Sequence, residues 1–165
     1  MFSVTITKGK EIQGLLSKLP KKVEKKIIRT SVRDSQKIGL AATKQNASSM
    51  VGGEMGAAIS KDAQLKAFKK QKRGSYGMSI RLRPDDEMIY YTEGLDGGVG
   101  KRYYIPFAIE YGHAFPGRGG GKSPPKDVPA IPFMRKAGID TAPKRLQHFT
   151  DKTWDGIEKA MKEQS

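Results

Sequence analysis

The residues able to do chemistry in this chain are few, and their spacing is the first thing to test. There are two histidines, His113 and His148, and no cysteine. The histidines fall in different segments, and neither has metal-ligand spacing. Glu110 stands three residues before His113, so a helix through both would place them on one face, where a carboxylate and an imidazole can share acid–base work. A carboxylate in so basic a chain also serves to cap a helix or pair with a cation, and that structural role is the favoured reading. Gly117-Arg-Gly-Gly-Gly-Lys-Ser resembles a phosphate-cradling loop in composition but not in spacing. Three residues rather than four separate Gly117 from Gly121, and prolines follow where a helix is needed. Nucleoside triphosphate binding is therefore rejected. Asp85, Asp86 and Glu87 read as a polar turn rather than a metal site. Tyr90-Tyr91 and Tyr103-Tyr104 could stack on bases, but on half-buried strands such pairs read as core or interface residues. No nucleophile–base–orienter set stands out. The expectation is a non-enzymatic protein without cofactor or metal.

The elements that must position these residues can be read from periodicity and punctuation. Residues 2–7, FSVTIT, alternate as a short strand. Ile12, Leu15, Leu16 and Leu19 share one face of a short helix over Glu11–Leu19. Pro20 opens a long helix to about Asn46, with an apolar stripe of Val23, Ile27, Ile38, Ala41 and Ala42 and cations over much of the remaining surface. So narrow a stripe points to burial shared with a partner. Residues 47–75 read as a mobile surface excursion, with at most a helical turn near Asp62–Lys70. Tyr76–Arg83 alternates as a strand, Pro84–Glu87 turns, and Met88–Thr92 returns as the second strand of a hairpin; Gly94–Gly100 reads as a flexible link. Tyr103–Gly112 allows a strand, but Pro106 suits the first turn of a helix and Gly112 its left-handed cap, so a short helix is expected at PFAIEY. Pro132 opens PFMRKAGI in the same way. Thr141 is expected to cap a separate final helix, with Pro143 in its first turn. The fold class is α+β: N-terminal helices, one of them long, a small antiparallel sheet, and a C-terminal helix. The expected core is Leu15, Leu16, Leu19, Val23, Ile27, Ile80, Leu82, Phe107, Ile109, Phe133, Leu146, Phe149, Trp154 and Ile157.

Composition narrows the partners. The 165 residues are enough for one domain, expected to span 1–165 with mobile segments near 47–75 and 113–129. Lys and Arg number 31 against 17 Asp and Glu, a net charge of +14, which implies a polyanion such as nucleic acid nearby. Hydrophobic residues make up only 36%, so the core is modest or part of the surface is buried in an assembly. The N-terminus does not read as a secretory signal, and no apolar run is long enough to span a membrane. Two cation-rich segments are candidate DNA-facing elements: Lys66, Lys69, Lys70, Lys72 and Arg73, then Arg118, Lys122 and Lys126. Their contacts would be to phosphates and blind to sequence.

Tyr103–Ile139 carries the most information. It reads as two anchors, Tyr103–Gly112 and Pro129–Ile139, on either side of a patternless loop rich in glycine, proline and cations. Glu110-Tyr111-Gly112 closes an aromatic–apolar stretch that includes Phe107 and Ile109. Pro132-Phe133-Met134-Arg135 and Ala137 form the second motif. With the Leu-rich helix and the long basic helix before them, these motifs resemble the tail-completion or neck proteins that join head and tail in long-tailed, double-stranded DNA bacteriophages. The family usually has Thr where His113 stands. The resemblance implies a structural virion protein around a DNA channel. It further implies ring-forming self-association, other tail or connector proteins as partners, and a location in the virion after assembly in the host cytoplasm. The alternative from charge is a free-standing, non-specific nucleic-acid-binding protein. A small hydrolase using Glu110 and His113 ranks last.

Overall fold

The computed structural model describes residues 9–68, 76–82, 89–93, 99–115 and 126–163. The fold is α+β. Helices α1 (Gly9–Lys18) and α2 (Lys21–Asn46) lead into a π-helical turn, Ala47–Val51, and α3 (Gly53–Asp62). Strands β1 (Ala63–Ala67), β2 (Met78–Leu82), β3 (Ile89–Glu93) and β4 (Val99–Tyr104) follow, then α4 (Ile105–Tyr111), β5 (His113–Phe115), β6 (Lys126–Val128) and α5 (Phe133–Lys162). The strands pair as β1 with β2, β3 with β4 and β5 with β6. The chain divides into two compact units. One comprises Met1–Ala41, Leu65–Arg81 and Asp140–Ser165; the other comprises Ala42–Gln64 and Leu82–Ile139.

In the first unit, α1, α2 and α5 share an apolar cluster of Ile12, Leu16, Leu19, Ile27, Ile157 and Ala160, with Leu15, Val23, Ile28 and Trp154 against it. Pro20 sits one residue before α2, and its carbonyl accepts the N–H groups of Val23 and Glu24, which starts the helix. The buried line of α2 is not the expected aliphatic stripe. It steps every fourth residue through Ile27, Ser31, Ser35 and Gly39, while Ile38 is half-buried and Ala41 exposed. Small side chains at a four-residue period let another helix approach closely. α5 takes that place, running antiparallel: Gly156 lies against Ile27, and Arg145 lies against Gly39 and donates to Gln36 Oε1 at 3.1 Å. A Cβ at Gly156 would stand 2.9 Å from Ile27 Cγ2. Two hydroxyls in this region are satisfied by their own helices: Ser35 Oγ donates to the Val32 carbonyl at 2.9 Å and Thr153 Oγ1 to the Phe149 carbonyl at 2.7 Å.

The second unit is built on Phe133, Ile59 and Ala47, all fully buried, with Met50, Val51, Met55, Ala58, Leu82, Ile109 and Met134 around them. Residues 47–62, expected as an excursion without regular elements, are helical here. Gly52 and Gly53 both take positive φ, and make one corner between two helical segments. At Gly56 the carbonyl of Ala47 approaches within 2.6 Å of where a Cβ would stand, so α3 folds back against the π-helical turn.

Three further expectations are corrected. The hairpin joins β3 to β4 in antiparallel register, Tyr90 opposite Tyr103, rather than β2 to β3. Gly100, expected in a flexible link, lies in β4, the second strand of that hairpin, and β2 pairs with β1 instead. The separate helices expected at PFMRKAGI and after Thr141 are one continuous α5 with Pro143 inside it. The carbonyl left without a helical donor is that of Ile139, an exposed residue, as is Pro143, so water can satisfy it. Phe107, expected in the core, is 62% exposed, while Leu146 and Phe149 are half-buried. The strand expected at residues 2–7 lies outside the described residues.

Two measurements test this packing. Gly56→Ala must displace a backbone carbonyl and is expected to lose about 1–3 kcal/mol. Gly138→Ala in α5 meets nothing within 4 Å and is expected to gain about 0.5–1 kcal/mol. Urea denaturation followed by circular dichroism reads both. On α2, Lys37 Nζ lies 2.7 Å from Asp34 Oδ1. That hydrogen bond holds the Asp34 carboxyl below the ordinary aspartate range, against a smaller opposing effect of burial and with help from the charges of Lys37, His148 and Lys152. A lowered folded-state pKa means the stabilisation is present above the ordinary aspartate range and is lost as pH falls through the lowered value. Lys37→Ala is expected to raise the Asp34 titration midpoint, read by carboxyl carbon NMR shifts between pH 2 and about 6.

Candidate functional site

The two anchors flanking the glycine-rich segment meet in the second unit, and Glu110 holds them together. α4 begins where β4 ends. Pro106, buried, fits its first turn, and Gly112 ends it at φ +73. The carbonyl of Val128 and the N–H of Ala130 crowd Gly112; a Cβ there would stand 2.8 and 3.0 Å from them. Immediately after, β5 and β6 pair antiparallel, His113 opposite Val128 and Phe115 opposite Lys126. On the other side of Gly112, Ile131 N–H donates to the Ile109 carbonyl at 2.7 Å. The two anchors are thus laced along their backbones from Ile109 to Phe115.

The lacing aims α4 at the start of α5. Glu110 is 4% exposed, and its two carboxylate oxygens accept the N–H groups of Met134 (Oε2, 2.8 Å) and Arg135 (Oε1, 2.9 Å). The first backbone N–H groups of a helix have no acceptor within it, and carry the positive end of the helix dipole. Here a carboxylate from 24 and 25 residues upstream supplies both acceptors and the complementary charge. Asn46 Nδ2 adds a third link by donating to the Phe133 carbonyl at 3.1 Å. Phe133, so fixed, fills the unit's core, and Ala137 is buried one turn on.

The motif residues therefore divide into two sets. Ile109, Glu110, Gly112, Pro132, Phe133, Met134 and Ala137 build the joint. Phe107, Tyr111 and Arg135 face out. The Phe107 and Tyr111 rings sit 4.5 Å apart at 41°, more than half exposed, and the Arg135 guanidinium lies 5.9 Å from the Tyr111 centroid. An aromatic pair flanked by a guanidinium is a composition typical of the centre of protein interfaces.

A helical Glu110–His113 pair, the less favoured reading, does not form, because α4 ends at Tyr111 and His113 opens β5. Both Glu110 oxygens are engaged by backbone donors, so this carboxylate is a cap. Among the described residues no group of three or more His, Asp or Glu is placed to hold a metal ion, and no described helix is long and apolar enough to cross a membrane. Of the cations expected to face DNA, Lys66 is exposed on β1 and Lys126 opens β6, in different units. Lys69, Lys70, Lys72, Arg73, Arg118 and Lys122 lie outside the described residues. Asn46 was not expected here, and no local pattern marks it, since its partner is 87 residues away. Comparison with known protein families, with curated proteins and with solved structures finds no match.

Glu110→Ala leaves two part-buried N–H groups without their acceptors and removes a charge from the helix terminus. It is expected to lower stability by about 2–4 kcal/mol, and Glu110→Gln by less. Hydrogen exchange at the Met134 and Arg135 amides is the specific readout: both should accelerate in either variant, whereas amides of α1 should not respond locally.

Proposed function

We propose that this chain is a structural component of a tailed-bacteriophage virion, a tail-completion or neck protein at the head–tail joint. The observation that carries the proposal is the Glu110 joint. The residues of the two family-like motifs that are buried cooperate in one architectural task, and the three that are exposed form one surface. A motif built around an enzyme centre would converge its polar groups on a cleft. This one spends its carboxylate on a helix terminus and turns aromatic rings outward. In this reading Phe107, Tyr111 and Arg135 make the contact to a neighbouring subunit or to a tail or connector protein. The low hydrophobic fraction follows, because surface exposed in the single chain is buried in the assembly. A free-standing nucleic-acid-binding protein is the second reading, supported by the net charge of +14.

The test is genetic and biochemical. A stop codon in this reading frame is expected to leave DNA-filled heads and tails that fail to join, with infectivity restored by the wild-type chain in trans. The double variant F107S/Y111S should keep the thermal midpoint within a few degrees, since both rings are more than half exposed, yet fail to restore infectivity. Normal joined particles from the stop-codon mutant would refute the proposal.

A further inference from the structure

Among the described residues, the strongest charged feature lies in the first unit and is not part of the joint. Lys22, Lys25, Lys26, Arg29, Arg33 and Lys37 fall on one side of α2; at 100° per residue they occupy a band about 120° wide and about 22 Å long. The opposite side carries the buried Ile27–Gly39 seam, so packing against α5 fixes the band outward. With Tyr76 from the segment leading into β2, these six cations line a groove of about 630 Å³. The Arg29 guanidinium lies 5.6 Å from the Tyr76 ring centroid, which ties the groove wall to the helix. Asp34 is the only acid among the described lining residues. A second hollow of about 270 Å³ shares Lys26 and Thr30 with the first and adds Lys152 and Lys159 from α5 against one acid, Glu163, continuing the positive surface.

We propose that this α2 groove is a nucleic-acid-binding site that takes the sugar–phosphate backbone of DNA without reading its sequence. The charge argument is direct. Six cations against one carboxylate in a concavity attract a polyanion far more than scattered cations do, and neutralising phosphates releases condensed counterions. The geometry selects a linear polyanion. Lys25, Arg29, Arg33 and Lys37 are each four residues apart, a rise of about 6 Å per step, close to the spacing of successive phosphates on one strand. Flexible, unbranched cationic side chains on a straight helix offer phosphate contacts but no fixed donor–acceptor pattern for base edges. Arg29 and Arg33 add bidentate capacity at the centre of the row. The site stands on the first unit alone, and holds whether the DNA is met in a virion channel or free. It also relocates the main DNA contact from the two cation-rich segments, Lys66–Arg73 and Arg118–Lys126, to a helix.

Fluorescence anisotropy of the full chain with a labelled 30-base-pair duplex, across a salt series from 50 mM upward, tests the site. Wild-type protein is expected to bind duplexes of different sequence equally, with affinity falling steeply as salt rises. R29E/R33E should weaken binding at least tenfold. The milder R29Q/R33Q should reduce the slope of log affinity against log salt by about one per cation removed. Asp34→Asn should strengthen binding. K10E/K61E, the same charge change on exposed positions of α1 and α3, is the control and should have a clearly smaller effect. Circular dichroism checks that each variant remains helical. Equal weakening by the groove and control pairs would reduce the attraction to net charge and overturn the proposal. So would absence of duplex binding by the wild type at 50 mM salt. Loss of binding in R29E/R33E with normal head–tail joining would uphold the site and separate it from the virion reading.

Discussion

A single carboxylate at a helix terminus organises the second unit. Helix α5 begins at the fully buried Phe133, its first N–H groups have no acceptor within the helix, and an unsatisfied donor that is withdrawn from water costs about as much as the hydrogen bond it lacks. Glu110 meets that demand from α4, which can deliver it only because Gly112 ends that helix in a left-handed conformation and lets the chain turn back beside Val128 and Ala130. The position of Phe133 follows from the capped terminus, and the methionine-lined core from Phe133. Glu110, Gly112, Pro132 and Phe133 are one mechanical part, though they are scattered over 24 residues of chain.

The first unit solves a different problem. A helix as cationic as α2 has little apolar surface to offer. It is held instead by close approach: small residues every fourth position admit α5, and the buried hydroxyls of Ser35 and Thr153 bond to their own helices. This economy leaves a broad side of α2 available for charge. The same strategy explains how a chain with 36% hydrophobic residues keeps an ordered helical core. The cations on the outer side of α2 and the aromatic rings beside the Glu110 joint, the two surfaces proposed for recognition, both lie off the packing seams of their own units.

Local chemistry was legible in the sequence, and long-range partnership was not. Pro20 and the apolar run around Leu16 marked the start of α2 and the face of α1. Pro106 and Gly112 bracketed α4 correctly, because proline and glycine act on their own backbone. The α2 seam escaped because Ser31, Ser35 and Gly39 are not apolar, and a search for aliphatic periodicity passes over small polar residues. Pro143 misled, since its effect depends on whether the freed carbonyl faces water, which is a tertiary fact. The β3–β4 pairing is not legible locally, because glycine-rich sequence suits a hairpin turn and an open link alike. The Glu110 cap lay between these extremes: a structural role was foreseen, but its acceptor geometry toward Met134 and Arg135 required the fold.

The central claim is that the Glu110 joint presents an assembly surface at a head–tail junction while the cations of α2 meet DNA. Cryo-electron microscopy of the intact neck of the particle encoded with this chain, at side-chain resolution, tests it most directly. The account predicts a closed ring of copies with Phe107 and Tyr111 buried at a protein–protein contact and the α2 cations facing the DNA channel. Particles lacking the chain, or a ring in which those rings remain in solvent and α2 faces outward, would contradict it.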